Sequence, residues 1–585
     1  MDLVDGVVSV TNNAPATFPV GITTVTYTAT DAAGNNATAT QTIIVMVAAE
    51  PTLTLIPAKG FQFDWIDTPN ATFYRLLENP DGVSGFAQIG TDIPSATQTV
   101  TEVVSLYLRL NAQYILQSCN SIGCIDSNIV NIAGTLVDAV GRLTHTNRGA
   151  GDRLGWSVHL SADAHTLAVG APGEDNSASG INPGGNDNGA LQSGAVFIFT
   201  RSGTTWTQQA FIKASNAEAG DEFGHSVSLS DDGNTLAVSA HLEASSAVGI
   251  NGNQTDNTAT DSGAVYVFTR TGTTWTQQAY LKASNTETGD EFGTSIELSS
   301  DGNTLAISAI NEDSSATDVN GDENNNSASN AGASYIFTRT GSVWTQQAYL
   351  KASNTGSSDL FGQDLSLSSN GDILAVSAHR EDTNGTNTGA VYTFTRSSNT
   401  WFPQAFIKNT LPLAYENFGQ SVSLSGDGTV LAVGSPGNDS NATGINGDPT
   451  NTSANGSGAA YLFTFDGSSW VQEAFIKASN TETSDLFGSS VTLSYDGSIL
   501  AISAIEEDSN ATGLNGNETD NSISNSGAVY LFKRISGNWA QQAYMKSSVI
   551  DNNAYFGVDI DLSPNGETLS IGARGENGGG AVYLY

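Results

Sequence analysis

The 585-residue sequence has little positive charge and no long apolar segment. It carries 20 Lys and Arg against 59 Asp and Glu, a formal net charge of −39. Such an acidic chain repels phosphate backbones and anionic membranes, so we expect no nucleic-acid partner. The longest aliphatic stretch, TIIVMVAA, is too short to cross a bilayer, and we expect no transmembrane segment.

The opening residues MDLVDG lack the basic start and apolar run of a secretory signal. The chain is expected to begin inside a domain, so this lack says little about the compartment of a longer parent protein.

Cysteine is almost absent, with only Cys119 and Cys124 in the segment QSCNSIGCIDS. The spacing is not CxxC and no histidine is near, which argues against a metal site. Two strands flanking the Asn-Ser-Ile-Gly turn would bring the sulfur atoms together, so we predict a local disulfide.

A 69-residue repeat dominates the rest of the chain. The stretch GDEFGHSVSLSDDGNTLAVSAH at 220–241 returns at 289–310 as GDEFGTSIELSSDGNTLAISAI. Its Phe-Gly glycine recurs in seven units, at intervals of 69 residues except for one of 57, as Gly155, Gly224, Gly293, Gly362, Gly419, Gly488 and Gly557.

Each unit contains four phrases that have the pattern of β-strands: SVSLS, TLAVSA, GAVYVFTR and a Trp phrase ending in Lys. An Asp-Gly hairpin signal separates the first two, and no 3.6-residue period is present. Four strands in each of seven units predict an all-β fold, a seven-bladed β-propeller.

The last unit ends at GAVYLY without a fourth strand. One repeat length before the outer strand of the first unit stands LVDAVGRLTH. We predict that residues 136–144 supply the missing strand of the last blade, which would remove two exposed sheet edges.

With Phe-Gly and the Gly-Ala-Pro at 170–172, the units resemble FG-GAP repeats, the blades of integrin α-subunit propellers and of many bacterial surface proteins. The resemblance covers residues 136–585 and implies a monomeric propeller. Leu154 replaces the Phe of the first unit, and the Pro remains only at Pro172 and Pro436. The family's DxDxDG calcium loop is replaced by short turns whose acidic residues are predicted turn formers, namely Asp232, Asp301, Asp427 and Asp496.

Two sandwich domains are expected before the propeller. Residues 1–48, with FPVGITTVTYTATDAAGN, resemble a hyalin repeat (HYR), an immunoglobulin-like domain whose first strands we expect to be cut off by the chain start. Residues 49–135, with FQFDWIDTPNATFYRLL, resemble a fibronectin type III domain. The combination of these domains with FG-GAP-like repeats implies a secreted or cell-surface protein.

Long loops join the second and third strands of five units and hold 18 Asp or Glu and no Lys or Arg. In each loop an aliphatic-Asn pair suggests an anchor that tucks the loop onto its blade. Oxygen-rich loops suit calcium, whereas turn formation and solubility explain the same residues without a ligand. The candidate calcium ligands are Asp175, Asn182, Asp187, Asp313, Asn320, Asp439, Asn446, Asp508, Asn515 and Asp520.

The long loops and the connections between blades emerge on one face of a propeller, the face that integrin-type propellers use for ligands. The fourth and seventh units have short loops, which would leave low points in the rim. We expect a protein or glycan partner to enter there, near Arg380, Glu381, Asp382, Arg574 and Glu576.

Catalytic motifs are missing: there is no G-x-S-x-G, HExxH or phosphate-binding glycine loop. Six histidines fall at unequal positions in the units, so we expect no convergent histidine cluster and predict no catalytic residue. The function predicted is adhesion or binding, not catalysis. Two alternatives stay open: a module of a secreted carbohydrate-active enzyme, and a structural spacer of a large adhesin.

Overall fold

The computed structural model describes residues 8–57, 60–102, 104–132, 139–145, 148–184 and 187–585. Its regular elements are almost entirely β-strands, with 3₁₀ turns at Leu106–Leu108 and Glu576–Gly578. No helix in these ranges is long and apolar enough to span a membrane. The chain divides into two compact units, Met1–Ala139 and Val140–Tyr585. The predicted all-β class is confirmed.

The second unit consists of antiparallel four-stranded sheets, seven of them in the described residues, each ordered from an inner first strand to an outer fourth strand. The first strands are Val158–Leu160, Val227–Leu229, Phe292–Leu298, Phe361–Leu367, Val422–Leu424, Phe487–Leu493 and Phe556–Leu562. The second strands are Thr166–Ala171, Thr235–Ala240, Thr304–Ala309, Ile373–Ala378, Val430–Ser435, Ile499–Ala504 and Leu569–Ala573.

The third and fourth strands complete each sheet, and the two form a long hairpin. The third strands are Ala195–Ser202, Ala264–Thr271, Ala333–Thr340, Ala390–Ser397, Ala459–Phe465, Ala528–Ile535 and Ala581–Leu584. The fourth strands are Thr205–Ile212, Thr274–Leu281, Val343–Leu350, Thr400–Ile407, Trp470–Ile476, Asn538–Lys546 and, for the seventh sheet, Gly141–Leu143. A short strand, Gly513–Leu514, adds to the outer edge of the sixth sheet.

The seventh sheet joins the two ends of this unit. Gly141 pairs with Leu584, Arg142 with Tyr583 and Leu143 with Val582. This strand lies inside the segment 136–144 that was predicted to complete the last blade, of which 136–138 falls outside the described residues. Arg142 also donates from Nε to Oε1 of the fully buried Glu576 at 2.8 Å.

Neighbouring sheets pack face to face around a channel lined by the first strands, and the first strand of the seventh sheet contacts that of the first. The alternation in SVSLS explains this placement, since its aliphatic residues enter the core between sheets and its polar residues face the channel. Those polar side chains accept backbone N–H groups of the next sheet: Leu298 N donates to Ser228 Oγ at 2.9 Å, and Val158 N to Asp559 Oδ2 at 2.8 Å. Backbone N–H groups at the edges of the first strands thereby gain hydrogen-bond partners, although neighbouring sheets do not join into one continuous sheet.

At the Asp-Gly end of the channel, a belt of backbone hydrogen bonds runs from sheet to sheet. Its six bonds start with Ala162 N to Asp231 O at 2.9 Å and finish with Tyr495 N to Pro564 O at 3.0 Å. A seventh bond, from Pro564 back to the first sheet, cannot form because proline has no N–H.

The Phe-Gly phrase is an inter-sheet joint. Gly194 and Gly224 both have positive φ, and a Cβ would stand 2.1 Å from Phe223 O at the former and 2.4 Å from Ala195 O at the latter. Two backbones meet here at a distance that only glycine permits. Phe223 is fully buried and lies edge-on to Tyr266 at 5.3 Å between ring centroids.

The first unit contains three sheets. A three-stranded meander consists of Ser9–Asn12, Gly21–Thr30 and Asn36–Val45. A second sheet contains the strands Leu53–Pro57, Phe61–Trp65 and Thr99–Glu102. The third sheet contains Phe73–Asn79, Ala87–Pro94, Gln113–Cys119, Cys124–Asp126 and Val130–Asn131. Aromatic rings pack between these two sheets, Phe63 on Tyr114 at 4.8 Å and Trp65 on Tyr74 at 5.4 Å. Cys119 and Cys124, which the sequence predicts to pair, form a disulfide.

Candidate functional site at the mouth of the channel

The aliphatic-Asn pair of each long loop is an anchor, as the sequence predicts. Ile181, for example, bridges to Ile212 at the edge of the first sheet and packs against the core between the first and second sheets. Asn182 donates its backbone N–H to Phe211 O at 2.7 Å and accepts Phe211 N at Oδ1 at 2.9 Å. The corresponding asparagines, each bonded in the same way to an aromatic residue of the fourth strand, are Asn251, Asn320, Asn446 and Asn515.

The aspartates proposed as calcium ligands also have partners inside their loops. Asp175 accepts the backbone N–H of Gln192 at 2.8 Å, and Asp187 accepts that of Ser177 at 3.0 Å. Asp313, Asp439 and Asp508 repeat the first contact, and Asp520 accepts Ser522 N. This geometry favours loop shaping, and calcium binding by these residues stays a prediction.

We expect a Ca²⁺ titration of metal-free protein to leave the melting temperature unchanged if the loop oxygens serve only the loops. A rise in melting temperature, together with slower amide exchange of the loop N–H groups, would show instead that the long loops bind calcium. The amide N–H groups of the short Asp-Gly turns are the internal reference for the exchange measurement. In these turns Asp232 accepts hydrogen bonds from Ser230 Oγ and Asn234 N, as predicted for a turn former.

Beneath the loops lies a buried ion pair that the sequence analysis missed. In the third sheet Lys351, the last residue of the Trp phrase, donates to Glu312 Oε2 at 2.7 Å, and both side chains are 1% exposed. Tyr349 and Asn285 donate to the other oxygen, Oε1. The matching pairs are Lys213–Glu174, Lys282–Glu243, Lys408–Glu381 and Lys546–Glu507.

In the fifth sheet the buried carboxylate comes from another position in the sequence. Asn438 occupies the place of the loop glutamate, and the nearby Glu416, from the connection between sheets, is buried and accepts Asn438 Nδ2 at 2.7 Å. Lys477 then bonds Ser457 Oγ at 2.7 Å and the carbonyl of Gly458, without a direct carboxylate contact. Burial lowers the pKa of Lys477 to about 7, although the nearest acidic side chains oppose the shift.

The residues predicted to meet a partner have different environments. Arg380 and Asp382 are exposed at the fourth sheet, where Asp382 accepts Asn387 N at 2.7 Å. Glu381 and Glu576 are buried, the first paired with Lys408 and the second with Arg142. These two glutamates hold loops and strands, so they are not placed to contact a partner.

Arg574 lies instead at the mouth of the channel on the long-loop side. Its guanidinium is 4.7 Å from the ring centroid of Trp156 and 4.7 Å from that of Tyr555. Arg153 is 5.6 Å from the same Trp156 ring. Burial lowers the pKa of Arg574, and the neighbouring Arg153 acts in the same direction.

The mouth is where the otherwise similar repeats differ most in chemistry. The residue after each Phe-Gly glycine lines a shallow cavity of about 200 Å³ there. These residues are Trp156, His225, Thr294, Gln363, Gln420, Ser489 and Val558. The residue that follows each second strand also varies, as Pro172, His241, Ile310, His379, Pro436, Ile505 and Arg574. The seven sheets are therefore similar in structure, whereas the ring of residues that they place at the mouth of the channel varies.

Two histidines meet at this ring, so the expectation of no convergent cluster is wrong. The rings of His225 and His241 are 3.7 Å apart between centroids. The Asp-Gly hairpin places these positions beside each other on the first and second strands, because Val227 pairs with Val238. Burial lowers the pKa of His225 to about 4 and that of His241 well below its ordinary value. Both rings are therefore neutral at pH 7.

Inside the channel, burial raises the pKa values of the carboxyl groups. The pKa of Glu297 rises to about 8, that of Asp559 to about 7 and that of Asp364 to about 6. Burial disfavours the charged form of His159, but Asp561 and Glu297 outweigh it and raise the pKa of its imidazole. The channel cavity is small, about 190 Å³.

Tyr495 crosses the opposite end of the channel. It comes from the sixth sheet, and its hydroxyl is 2.7 Å from both Asp231 Oδ1 and Ser300 Oγ, on the second and third sheets. Gly426 makes room for it, since a Cβ there would stand 2.9 Å from Tyr495 Cγ. One side chain thus links three sheets across the channel.

Sequence comparison identifies two families. The model of the FG-GAP repeat matches residues 206–268, 275–337, 344–394 and 470–532, and the model of the HYR domain matches residues 1–45. Among curated protein sequences, none matches the chain. FG-GAP repeats and HYR domains are typical of extracellular and cell-surface proteins, adhesion proteins among them.

Structure comparison finds chains of low identity. The crystal structure of RRP9 WD40 repeats is 7% identical, with 76% of this chain and 96% of that chain covered and a TM-score of 0.42. The crystal structure of the tricorn protease is 9% identical, with 96% of this chain and 44% of that chain covered and a TM-score of 0.37. The structure of the Pyrococcus horikoshii acylaminoacyl peptidase is 11% identical, with 72% of this chain and 48% of that chain covered and a TM-score of 0.35. The chain thus spans less than half the length of either peptidase. From the sequence matches and the sheets together, this chain contains FG-GAP repeats, in propeller-like four-stranded sheets, and an N-terminal HYR domain.

Proposed function

We propose that this protein is an extracellular or cell-surface binding protein that uses the long-loop face of its sheets to bind a protein or glycan. The observation that carries the proposal is the mouth of the channel, where the repeats diverge and Trp156, Tyr555 and Arg574 stack together. Tyr, Trp and Arg are the residues enriched at the energetic centres of binding interfaces.

The charge of this patch narrows the ligand chemistry. In a chain of net charge −39, Arg153 and Arg574 stand together on one tryptophan ring. A guanidinium recognises a carboxylate or sulfate through paired hydrogen bonds, and a flat aromatic ring beside it offers a stacking surface. We expect the ligand to be an acidic glycan or a protein segment bearing a carboxylate.

The test is a screen of glycans and extracellular-matrix proteins with the wild-type chain and two variants that replace mouth residues by those of other units. Trp156→Ser introduces the residue of the sixth unit, and Arg574→Ile that of the third and sixth units. Since both residue types already occupy these places, the fold should persist. We expect each variant to weaken binding by roughly tenfold or more.

The control is Val343→Thr, which changes an exposed residue at the start of the fourth strand of the third sheet to the residue that the first, second and fourth units carry there, and it should leave affinity unchanged. If the wild-type chain binds nothing in such screens, the structural-spacer alternative replaces the proposal. Equal binding by wild type and both variants would show that the ligand binds elsewhere than at the mouth of the channel.

The enzyme alternative has one feature in its favour, the channel carboxyl groups with raised pKa values, a property common at catalytic sites. Their contacts favour a structural role, because Asp559, Asp561 and Asp364 each accept a backbone N–H of a neighbouring first strand. We propose no catalytic activity, and release of sugar from a polysaccharide would overturn that view.

We also propose the finer architecture: a closed seven-bladed propeller from 136 to 585, monomeric, and a fibronectin type III-like sandwich at 49–135. The contact of the seventh first strand with the first supports the closed ring. The aromatic contacts between the two sheets of residues 53–131 support the sandwich.

A further inference from the structure

Among the His, Cys, Asp and Glu side chains that the structure describes, one group of three could hold a metal ion, namely Glu222, His225 and His241. One ligand atom from each lies within 4.8 Å of the other two. Nδ1 of His225 is 4.0 Å from Glu222 Oε2, while Arg153 bonds the other carboxylate oxygen, Oε1, at 3.4 Å. One oxygen of Glu222 therefore faces the imidazoles.

The two histidines have nitrogen atoms that the protein leaves unsatisfied. Nδ1 of His225 and Nδ1 of His241 are buried and without a hydrogen-bond partner, and His241 as a residue is only 8% exposed. Leaving a buried polar atom unpaired costs stability. A bound cation would use these lone pairs.

Sheet packing does not require these histidines. The third and sixth units have the same strands with Ile310 and Ile505 in place of His241, and Thr294 and Ser489 in place of His225. The fourth unit has His379 at the His241 position, but Leu360 and Gln363 occupy the places of Glu222 and His225. The full set occurs in the second unit alone.

We propose that Glu222, His225 and His241 form a binding site for a divalent ion of the zinc class at the mouth of the channel. Two imidazoles and one carboxylate are the ligand set of several zinc sites that keep one coordination position open. Ligand atoms on tetrahedral zinc stand roughly 3.3 Å apart, so the group closes by up to about 1.5 Å on binding. Of the three residues, His225 also lines the cavity at the mouth, together with Trp156 and Thr294.

Nitrogen ligands give the site a selectivity that the acidic loops lack. Imidazole suits zinc, copper and nickel, whereas calcium takes oxygen ligands. Zinc binding here is independent of calcium in the loops and does not rest on the proposed partner. Excess Ca²⁺ occupies non-specific carboxylates on the acidic surface without competing for this site.

The experiment is equilibrium dialysis of the metal-free full chain against Zn²⁺ in the presence of excess Ca²⁺. The variants are His225→Ser and His241→Ile, whose new residues other units already carry at these positions. His379→Ile is the matched control, since it removes a buried histidine from the same position of the fourth sheet. We expect one Zn²⁺ per wild-type chain, an affinity lowered roughly tenfold or more in the two variants, and no change in the control.

Co²⁺ provides a second readout that does not depend on affinity. Wild type and His379→Ile should give the intense visible absorption of four-coordinate Co²⁺, and the other two variants should not. The proposal is overturned if wild type takes up no stoichiometric Zn²⁺ under these conditions. It is equally overturned if His241→Ile binds Zn²⁺ as tightly as wild type.

Discussion

Replacing Glu312 by alanine is expected to lower the free energy of unfolding by about 3–5 kcal/mol, because it leaves a buried lysine without its carboxylate. Lys351 is 1% exposed and donates to Glu312 at 2.7 Å. At the five corresponding lysines a serine or threonine hydroxyl also accepts a hydrogen bond from the ammonium group, but Ala331 occupies that position here. Denaturant unfolding of Glu312→Ala measures the loss.

The pH dependence of the same variant gives a second check. Burial already lowers the pKa of Lys351, and removal of Glu312 deletes the main charge that opposes this shift. A lysine with a lowered folded-state pKa binds fewer protons folded than unfolded, so stability rises with pH up to the unfolded pKa near 10.4. Glu312→Ala should therefore recover part of its loss between neutral and alkaline pH.

Asp322→Ala is the control for this prediction. Asp322 lies exposed in the same loop and bonds the backbone N–H of Asn324. Its removal should change stability by only about 0.5 kcal/mol. If Glu312→Ala costs no more than Asp322→Ala, the buried pair does not stabilise the sheet.

Removal of the strand Gly141–Leu143 is expected to cost roughly 5 kcal/mol or more, the sum of an unpaired buried carboxylate and a lost apolar side chain. Glu576 is fully buried beside Arg142, and Leu143 packs in the core with Val582 and Leu584. The open edge of the strand Ala581–Leu584 would also be free to pair with other chains. A chain of residues 150–585 should thus unfold at lower denaturant concentration and aggregate.

A chain of residues 140–585, which keeps the strand, is the matched control and should unfold as the second unit of the full protein does. A peptide of residues 140–149 added to the shorter chain should restore part of the stability in proportion to its concentration. Arg142→Ala in the full chain isolates the ion pair. Equal unfolding curves for the two truncated chains would show that the strand does not hold the sheets together.

The repeated sheets could be predicted because their signals are local. Asp-Gly turns, alternating phrases and a fixed interval each specify neighbouring residues, and the interval also located the closing strand. The anchor of the long loops was visible for the same reason, as an apolar residue such as Ile181 in a polar loop.

Long-range contacts were harder to predict. Lys351 and Glu312 are 39 positions apart, and nothing local distinguishes this lysine from one at the exposed end of a strand. The meeting of His225 and His241 depends on the register of one hairpin, which the Asp-Gly position specifies. That signal was present in the sequence, but it becomes informative only when positions across the two strands are compared rather than positions along the repeat.

The side chain of Tyr495 bonds two other sheets across one end of the channel. Because its ring lies across that end, a group that enters the channel from the side of Trp156 and His225 travels toward the Tyr495 hydroxyl. A side chain inserted from that side would pass the channel carboxyl groups, whose pKa values are raised, before it reached the phenol of Tyr495. The volume of about 190 Å³ limits such an insertion to a group the size of one side chain.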